Sequence, residues 1–297
     1  VMRRSGYNFK LLPTVSKDAI EVGLKHVNND ACYPALVVIG QLIEALQTGE
    51  VDPDRAAVVI TQTGGVCRAT NYAAMLRKGL KDAGYEQVPA LTLSFGGLEK
   101  HSGLKYTPAM LNRLLKAVVL GDLLQNVTMR VRPYEASPGS AMELYHYWDN
   151  IAKEYLGDDG WSATLRRRLT YKDLCTAIVR AFDALPLTGE ERRPRVGIVG
   201  EILVKFHPDA NNHAVDTVER EGCEAVIPGL MGFILQGFAS ADWRFETLGV
   251  GGKTRKLYAA ILWLFEKYQE PAVKALRRAG GKFDIPAPIR ELAEKAS

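Results

Sequence analysis

Short apolar runs alternate with helical patterns in the first third of the chain. Residues 57–61 are apolar at consecutive positions, as in a strand buried on both faces. The shorter run 22–27 predicts a strand before them, and 88–94 predicts a third, with Pro89 near its beginning. Residues 35–47 and 70–83 carry apolar side chains three and four positions apart, which predicts helices. The order predicts a βαβαβ unit, in which right-handed crossovers join parallel strands.

The middle of the chain shows helical spacing alone. The predicted helices there are 108–129, 142–155 and 170–185. The polar stretch 188–194 predicts a boundary between subdomains, and the α/β pattern returns after it. The predicted elements beyond the boundary are strands 195–200 and 225–227, a helix at 211–220 and an amphipathic helix at 253–278.

These elements predict an α/β fold with two flavodoxin-like or Rossmann-like parallel-sheet lobes and a helical insertion between them. The predicted ranges are 1–106 for the first lobe, 107–193 for the helical segment, and 194–297 for the second lobe with its C-terminal helix. Because two α/β parts are separated by helices, we expect a two-lobed protein with a cleft between the lobes. Sheets of this kind bind ligands at the carboxyl ends of their strands.

Composition narrows the range of functions. Hydrophobic residues make up 47% of the 297 positions and charged residues 24%, which is ordinary for a globular protein. The net charge of +4 is small, and the basic run 166–168 is interpreted as a solvated helix face, so we expect no nucleic-acid partner. No apolar run approaches the ~20 residues that span a bilayer, and we expect no membrane association.

The cellular setting follows from the cysteines and the start of the chain. Four cysteines do not make a disulfide scaffold in a chain of this size, which favours a reducing cytoplasm. The first predicted strand lies close to the beginning of the sequence, without a secretory signal. We therefore expect a fragment of a longer protein, or a chain whose partner is encoded elsewhere.

Two cysteines carry the chemistry that the pattern suggests. Cys32 and Cys67 each follow a predicted strand and precede a predicted helix, so both are expected at one sheet edge. Their wide separation excludes a Cys-x-x-Cys unit, whereas a helix N-terminus favours the thiolate that ligates metals. Metal ligation, two packed thiols and a nucleophilic Cys67 remain open on spacing alone.

Three motifs add a resemblance to a known family. NNDACYPA at 28–35, TGGVCRATNY at 63–72 and VGIVGEI at 196–202 resemble the C-terminal part of acyl-CoA dehydratase activase-related proteins. Those proteins are similar in turn to the subunits of 2-hydroxyacyl-CoA dehydratases. The resemblance runs from about Arg3 to about Phe283, which is nearly the whole chain.

The resemblance implies an iron–sulfur protein. Dehydratase subunits of this type have flavodoxin-like lobes and hold a [4Fe–4S] cluster through cysteines at strand ends, and relatives hold a double-cubane cluster. An ATP-hydrolysing activator injects one electron, and water leaves a 2-hydroxyacyl-CoA through a ketyl radical. The chain would then belong to a dehydratase-like lyase or to a reductase system, in low-potential electron transfer or radical dehydration of a CoA thioester. The alternative is a non-catalytic docking or regulatory module of a multidomain activase.

The same resemblance implies particular metal ligands. Cys32 and Cys67 match the first two ligand positions, and Cys223 is the candidate for the third, although it precedes a predicted strand where the family's cysteine follows one. Two thiolates are too few for a stable cubane. Three explanations remain for a match with only two ligands. Cys223 is recruited as a further ligand, a second lobe supplies the missing thiolates, or the cluster is absent. Cys175 falls within a helical pattern and is predicted to be a core residue.

Five further residues are candidate cofactor-binding positions. Gly64 and Gly65 would let the backbone approach a cluster closely, or they form an ordinary tight turn. Arg68 could donate hydrogen bonds to a cluster sulfur or a CoA phosphate, or it forms a surface ion pair. Glu201 and Asn211 lie in a polar segment after a predicted strand, a position that is suited to contacts with a ligand. The alternative for Asn211 is that it caps a helix.

The expected partners follow from what the chain carries. The segment 249–254 lacks the spacing and the preceding strand of a phosphate-binding P-loop, so ATP is expected on an activator domain or protein. An acyl-CoA substrate is the expected small molecule. A second lobe, or a homodimer or heterodimer, would supply the missing cluster ligands.

Overall fold

The protein is mixed α/β and mostly helical. The computed structural model describes residues 1–12, 16–28, 30–63, 67–94, 107–157, 159–189 and 191–296. The helices in that part are α1 (Lys17–His26), α2 (Tyr33–Gln47), α3 (Tyr72–Asp82), α4 (Pro108–Val131), α5 (Ser140–Tyr155), α6 (Gly160–Arg168), α7 (Tyr171–Asp183), α8 (Ile202–Phe206), α9 (Ala214–Arg220), α10 (Leu230–Leu248), α11 (Arg255–Arg278) and α12 (Ile289–Ala296). The strands there are β1 (Val58–Gln62), β2 (Ala90–Ser94), β3 (Arg195–Gly197) and β4 (Glu224–Val226). The predicted α/β class is confirmed at this level.

The strands form two small parallel sheets. Within the described residues, β1 pairs only with β2, from Val58 opposite Ala90 to Gln62 opposite Ser94. The second sheet is the parallel pair of β3 and β4. Among the described helices, none has the combination of length and apolar character that crossing a bilayer would require.

The chain forms two compact units. The cysteine unit comprises Lys10–Tyr106 and Gly200–Ala214, and the helical unit comprises Val1–Phe9, Thr107–Val199 and Val215–Ser297. These ranges differ from the predicted ones, because most of 107–193 and 194–297 lies in one unit. The physical reason is a shared hydrophobic core, to which α4, α7, α10 and α11 all contribute buried side chains.

The cysteine unit is built around α2. Helix α1 crosses it at two glycines: a Cβ on Gly23 would meet the carbonyl oxygen of Leu36 at 2.2 Å, and one on Gly40 would meet that of Ala19 at 1.9 Å. Helix α3 connects β1 to β2, and its apolar face packs into the same core as α2 and β1. The fully or nearly fully buried residues at this junction include Ile39, Ile43, Ile60, Leu76 and Leu80.

The strand predicted at 22–27 is wrong, because nearly all of this segment lies in α1. The Ser16 hydroxyl accepts a hydrogen bond from the backbone N–H of Ala19 at 2.8 Å and so begins the helix. Ala19 and Gly23, one helical turn apart, are buried, and each backbone lies against α2. The apolar run therefore belongs to a helix face, and its partner is a helix rather than a sheet.

The helical unit contains a buried carboxylate at the start of β4. Glu224 is 1% exposed and accepts hydrogen bonds from the Tyr134 hydroxyl at 3.0 Å, from Arg192 at 2.9 and 3.2 Å, and from Arg195 at 3.1 Å. Arg130 lies 3.3 Å from the same carboxylate. These bonds join β4 to α4, to β3 and to the segment before β3, and they satisfy a charge that would otherwise be costly to bury.

Candidate functional site

Cys32 begins helix α2. Its backbone is extended, its carbonyl oxygen accepts from the N–H of Ala35 at 3.1 Å, and Pro34 occupies the first turn as predicted. The half-buried sulfur makes no capping hydrogen bond to its own helix and instead lies 3.1 Å from the hydroxyl of Tyr72. Because Cys32 follows α1 and a short loop, the prediction that it lies at the end of a strand is wrong.

Cys67 lies after β1, as predicted. It begins the short 3₁₀ helix Arg68–Asn71, and its sulfur accepts a hydrogen bond from the backbone N–H of Ala69 at 3.5 Å. The side chain is exposed. The sulfur therefore lies at the surface with a hydrogen-bond donor beside it.

Tyr72, the first residue of α3, contacts Cys32 and is within electrostatic range of Cys67. The side chain is buried, and burial raises the pKa of its phenol. The hydrogen bond with Cys32 raises that pKa further, as does the negative potential of Cys32, Cys67 and Glu201. The phenol therefore stays protonated and can donate to a thiolate. The sequence does not single out this residue, because Tyr72 fits the apolar spacing of α3 as a core position would.

Two predicted cofactor-binding residues have local roles in the backbone. The Glu201 carboxylate accepts from the N–H of Val204 at 3.1 Å and begins α8. The Asn211 amide donates to the carbonyl oxygen of Val204 at 2.8 Å and accepts from the N–H of Ala214 at 3.1 Å. The capping alternative for Asn211 is thus supported, whereas Glu201 combines a cap with its electrostatic influence on Tyr72.

The other predicted site residues, one arginine, two glycines and a third cysteine, do not share one location. Arg68 is exposed in the 3₁₀ helix after Cys67. Gly64 and Gly65 lie outside the described residues. Cys223 belongs to the helical unit, where it directly precedes β4 and its half-buried thiol is 3.9 Å from the carbonyl oxygen of Glu221.

Cys175 is a core residue of α7, as predicted. Its side chain is 0% exposed within the core of the helical unit. Burial raises the pKa of the thiol to about 12, although a hydrogen bond with Tyr171 acts in the opposite direction. This cysteine is therefore protonated at neutral pH and is not a ligand candidate.

In the cysteine unit, the thiol of Cys32 thus contacts the phenol of Tyr72, and Cys67 and Glu201 raise the pKa of that phenol through their negative potential. The part of the chain that the structure describes contains no group of three or more His, Cys, Asp or Glu side chains that could hold a metal ion. Two thiolates cover half of the four-cysteine set that a [4Fe–4S] cluster normally takes. The arrangement suits either an incomplete ligand set that another chain completes, or a reactive thiol beside a proton donor.

The chain matches no protein-family model, and neither a curated protein nor a solved structure matches it significantly. The strongest element of the site geometry is the position of Tyr72 beside Cys32, with Cys67 close enough to influence its titration.

Proposed function

We propose that Cys32 and Cys67 are thiolate ligands of an iron–sulfur cluster, in a protein of the 2-hydroxyacyl-CoA dehydratase and activase-related group. The observation that supports this best is the 3.1 Å approach of the Cys32 sulfur to the phenol of Tyr72, whose pKa the potential of Cys67 also raises. Each cysteine begins a helix, and the sulfur of Cys67 accepts a hydrogen bond from the backbone N–H of Ala69. The three sequence motifs that resemble the family supply the identity of the cofactor.

The cysteine unit would hold one side of the cluster, which is either [4Fe–4S] or double-cubane. Tyr72 would donate a hydrogen bond to sulfur, an interaction that tunes the potential of such centres. Because two thiolates are half of the usual set, a partner chain or a second copy would provide the remaining ligands. Recruitment of Cys223 is the alternative within the chain.

The wider role in the proposal follows the family. When bound, the cluster would supply one-electron transfer at low potential, with an ATP-dependent activator as the electron donor and an acyl-CoA as the substrate. The β1–α3–β2 arrangement, a parallel strand–helix–strand unit, is compatible with the flavodoxin-like lobe that belongs to this proposal. A reducing cytoplasm is the compartment that suits free thiols.

Anaerobic reconstitution with iron and sulfide tests the proposal. The full chain is expected to gain bound iron, acid-labile sulfide and broad visible absorption, and both Cys32→Ser and Cys67→Ser are expected to lose most of them. The variant Cys223→Ser distinguishes the two sources of the remaining ligands. If this variant keeps the cluster, the ligands come from another chain, whereas loss of the cluster identifies Cys223 as a ligand. Wild-type protein that stays colourless, or full iron content in both of the first two variants, would contradict the proposal.

A docking or regulatory module is the second candidate function. Helices α10 and α11 expose large apolar side chains, a feature typical of surfaces that contact another protein. The most exposed of them are Trp243, Leu248, Leu257 and Trp263, at 57–59%. If this function is correct, the double variant Trp243→Ser and Trp263→Ser abolishes co-elution with the activator domains, whereas Cys32→Ser does not.

A further inference from the structure

A cavity of about 260 Å³ lies in the helical unit, between α4, the end of α5 and α6. Its lining residues are Ala109, Asn112, Arg113, Lys116, Tyr155, Leu156 and Arg166. Three of these are basic and none is acidic. The concentration of positive charge in one small concave site indicates a negatively charged ligand.

Two of the basic side chains are held in place by neutral groups. Arg113, on α4, is 9% exposed, and its guanidinium donates to the hydroxyl of Ser5 at 3.1 Å. Arg166, on α6, donates to the carbonyl oxygens of Tyr155 at 2.7 Å and of Gly157 at 2.6 Å. Carbonyl oxygens orient a guanidinium while leaving its positive charge in place. The site is therefore positioned before a ligand binds, which lowers the entropy cost of binding.

Lys116 is the third cation and lies one helical turn from Asn112. Its ammonium is 5.2 Å from the ring centroid of Tyr171. Burial lowers its pKa, and the positive charge of Arg166 lowers it further. An anion between the two groups would relieve this repulsion. The amide oxygen of Asn112 accepts from the Tyr268 hydroxyl at 2.8 Å, which fixes the orientation of this side chain.

We propose that this cavity binds the phosphoryl group of a small metabolite. A phosphoryl group carries close to two negative charges and three acceptor oxygens, so it can pair with Lys116 and Arg166 at the same time. A monocarboxylate offers one charge and two oxygens, which balances only one of these two cations. The volume is slightly below the range of about 300–1,000 Å³ that holds drug-sized ligands, which favours a compact molecule.

Calorimetric titration of the full chain with inorganic phosphate, pyrophosphate and acetate tests the assignment, at one ionic strength balanced with chloride. Saturable binding of one phosphate or pyrophosphate per chain is expected, with acetate at least tenfold weaker. Lys116→Gln should weaken phosphate binding about tenfold, the effect of one charge-assisted hydrogen bond. Lys116→Arg should retain most of it.

Each matched control also removes one positive charge, but from an exposed residue of a nearby helix. Lys172→Gln on α7 and Arg167→Gln on α6 are expected to leave phosphate affinity within twofold of wild type. Cys32→Ser should also bind normally, because that residue belongs to the cysteine unit. Absence of saturable phosphate and pyrophosphate binding, acetate binding as tight as phosphate, or equal weakening in Lys172→Gln would each overturn the proposal. A thermal midpoint equal to that of wild type will show that Lys116→Gln is folded.

Discussion

The hydroxyl oxygen of Tyr72 lies 3.1 Å from the sulfur of Cys32, although the two residues are separated by β1 and the whole of α2. The contact ties the start of α3 to the start of α2. It also puts a protonated phenol, whose pKa is raised by burial and by the neighbouring thiols, next to the more buried of the two candidate ligands. The reactivity of Cys32 should therefore depend on Tyr72.

Tyr72→Phe is expected to slow alkylation of Cys32 about fivefold at pH 8. The phenol O–H stabilises negative charge on sulfur, and a hydrogen bond of about 1 kcal/mol corresponds to that change in rate. Timed iodoacetamide labelling followed by peptide mass spectrometry measures each cysteine separately. Tyr33→Phe, an exposed neighbour of Cys32, is the control and should leave the rate unchanged. An unchanged or faster rate in Tyr72→Phe would show that the phenol is not the donor.

Cys175 is expected to resist the same reagent in the folded protein. Burial leaves no path for the reagent and raises the pKa of the thiol to about 12, so the reactive thiolate is scarce at pH 8. Exposed Cys67 should react at least a hundredfold faster. In denaturant the two rates should become equal within a factor of about three. Rapid native labelling of Cys175 would mean that α7 opens readily or is packed differently.

Gly40→Ala is expected to destabilise the cysteine unit by about 1–3 kcal/mol, the usual effect of overpacking. A Cβ at this position would meet the backbone carbonyl of Ala19 and the N–H nitrogen of Gly23, at 1.9 and 2.7 Å, and α1 would have to move away. Displacement of α1 would also disturb the packing of the helix that Cys32 begins. Denaturant unfolding, followed by circular dichroism, measures the change.

Gly121→Ala is the matched control for that change. Gly121 is also within a helix, but no described residue beyond the adjacent backbone of α4 has an atom within 4 Å of an added Cβ, so alanine should stabilise by up to about 1 kcal/mol through helix propensity. The two substitutions should therefore differ in sign. Equal effects would indicate that the close approach of α1 and α2 does not persist in solution.

Glu224→Gln is expected to destabilise the helical unit by about 3 kcal/mol at pH 7, because the change removes a buried negative charge that Arg130, Arg192 and Arg195 all contact. Burial by itself raises the pKa of Glu224, but hydrogen bonds from Arg192 and Tyr134 outweigh it, and the pKa in the folded state is lowered. The stabilisation is therefore complete above the unfolded-state value of about 4.3 and is lost as pH falls through the lowered folded value.

Thermal unfolding between pH 7 and pH 2 measures the contribution of Glu224. The difference in stability between wild type and Glu224→Gln should shrink at acidic pH. Glu246→Gln, which removes an exposed ion pair with Arg255 at 3.0 Å, should change stability by less than about 1 kcal/mol at any pH. A gap between wild type and Glu224→Gln that stays constant down to pH 2 would contradict the stated role of the carboxylate charge.

Several elements were predictable because their signal is local. The helices α2, α4 and α7 have long apolar stripes with clear starts, such as Pro34 in the first turn and the hydroxyl of Thr107 that caps α4. The strand β1 begins with three consecutive apolar residues, and β2 is a short segment rich in leucine and threonine that follows Pro89. In each case the residues that decide the structure lie within one or two turns of each other.

The error at 22–27 has the opposite cause. A short apolar run suits a buried strand or one face of a helix equally well, and length and partner decide between them. The partner here is α2, which approaches α1 through Gly23 and Gly40. No pattern inside the run contains that information.

The sequence by itself determined the α/β class, most helices, the buried state of Cys175, and the position of Cys67 after a strand. Periodicity and capping residues encode these features within short windows. Only the tertiary structure decided that α1 is a helix, that Tyr72 contacts Cys32, that Cys223 belongs to the other unit, and that three cations line one cavity. Each of these depends on contacts between residues far apart in the chain, and such contacts produce no periodic pattern of apolar residues in the local sequence.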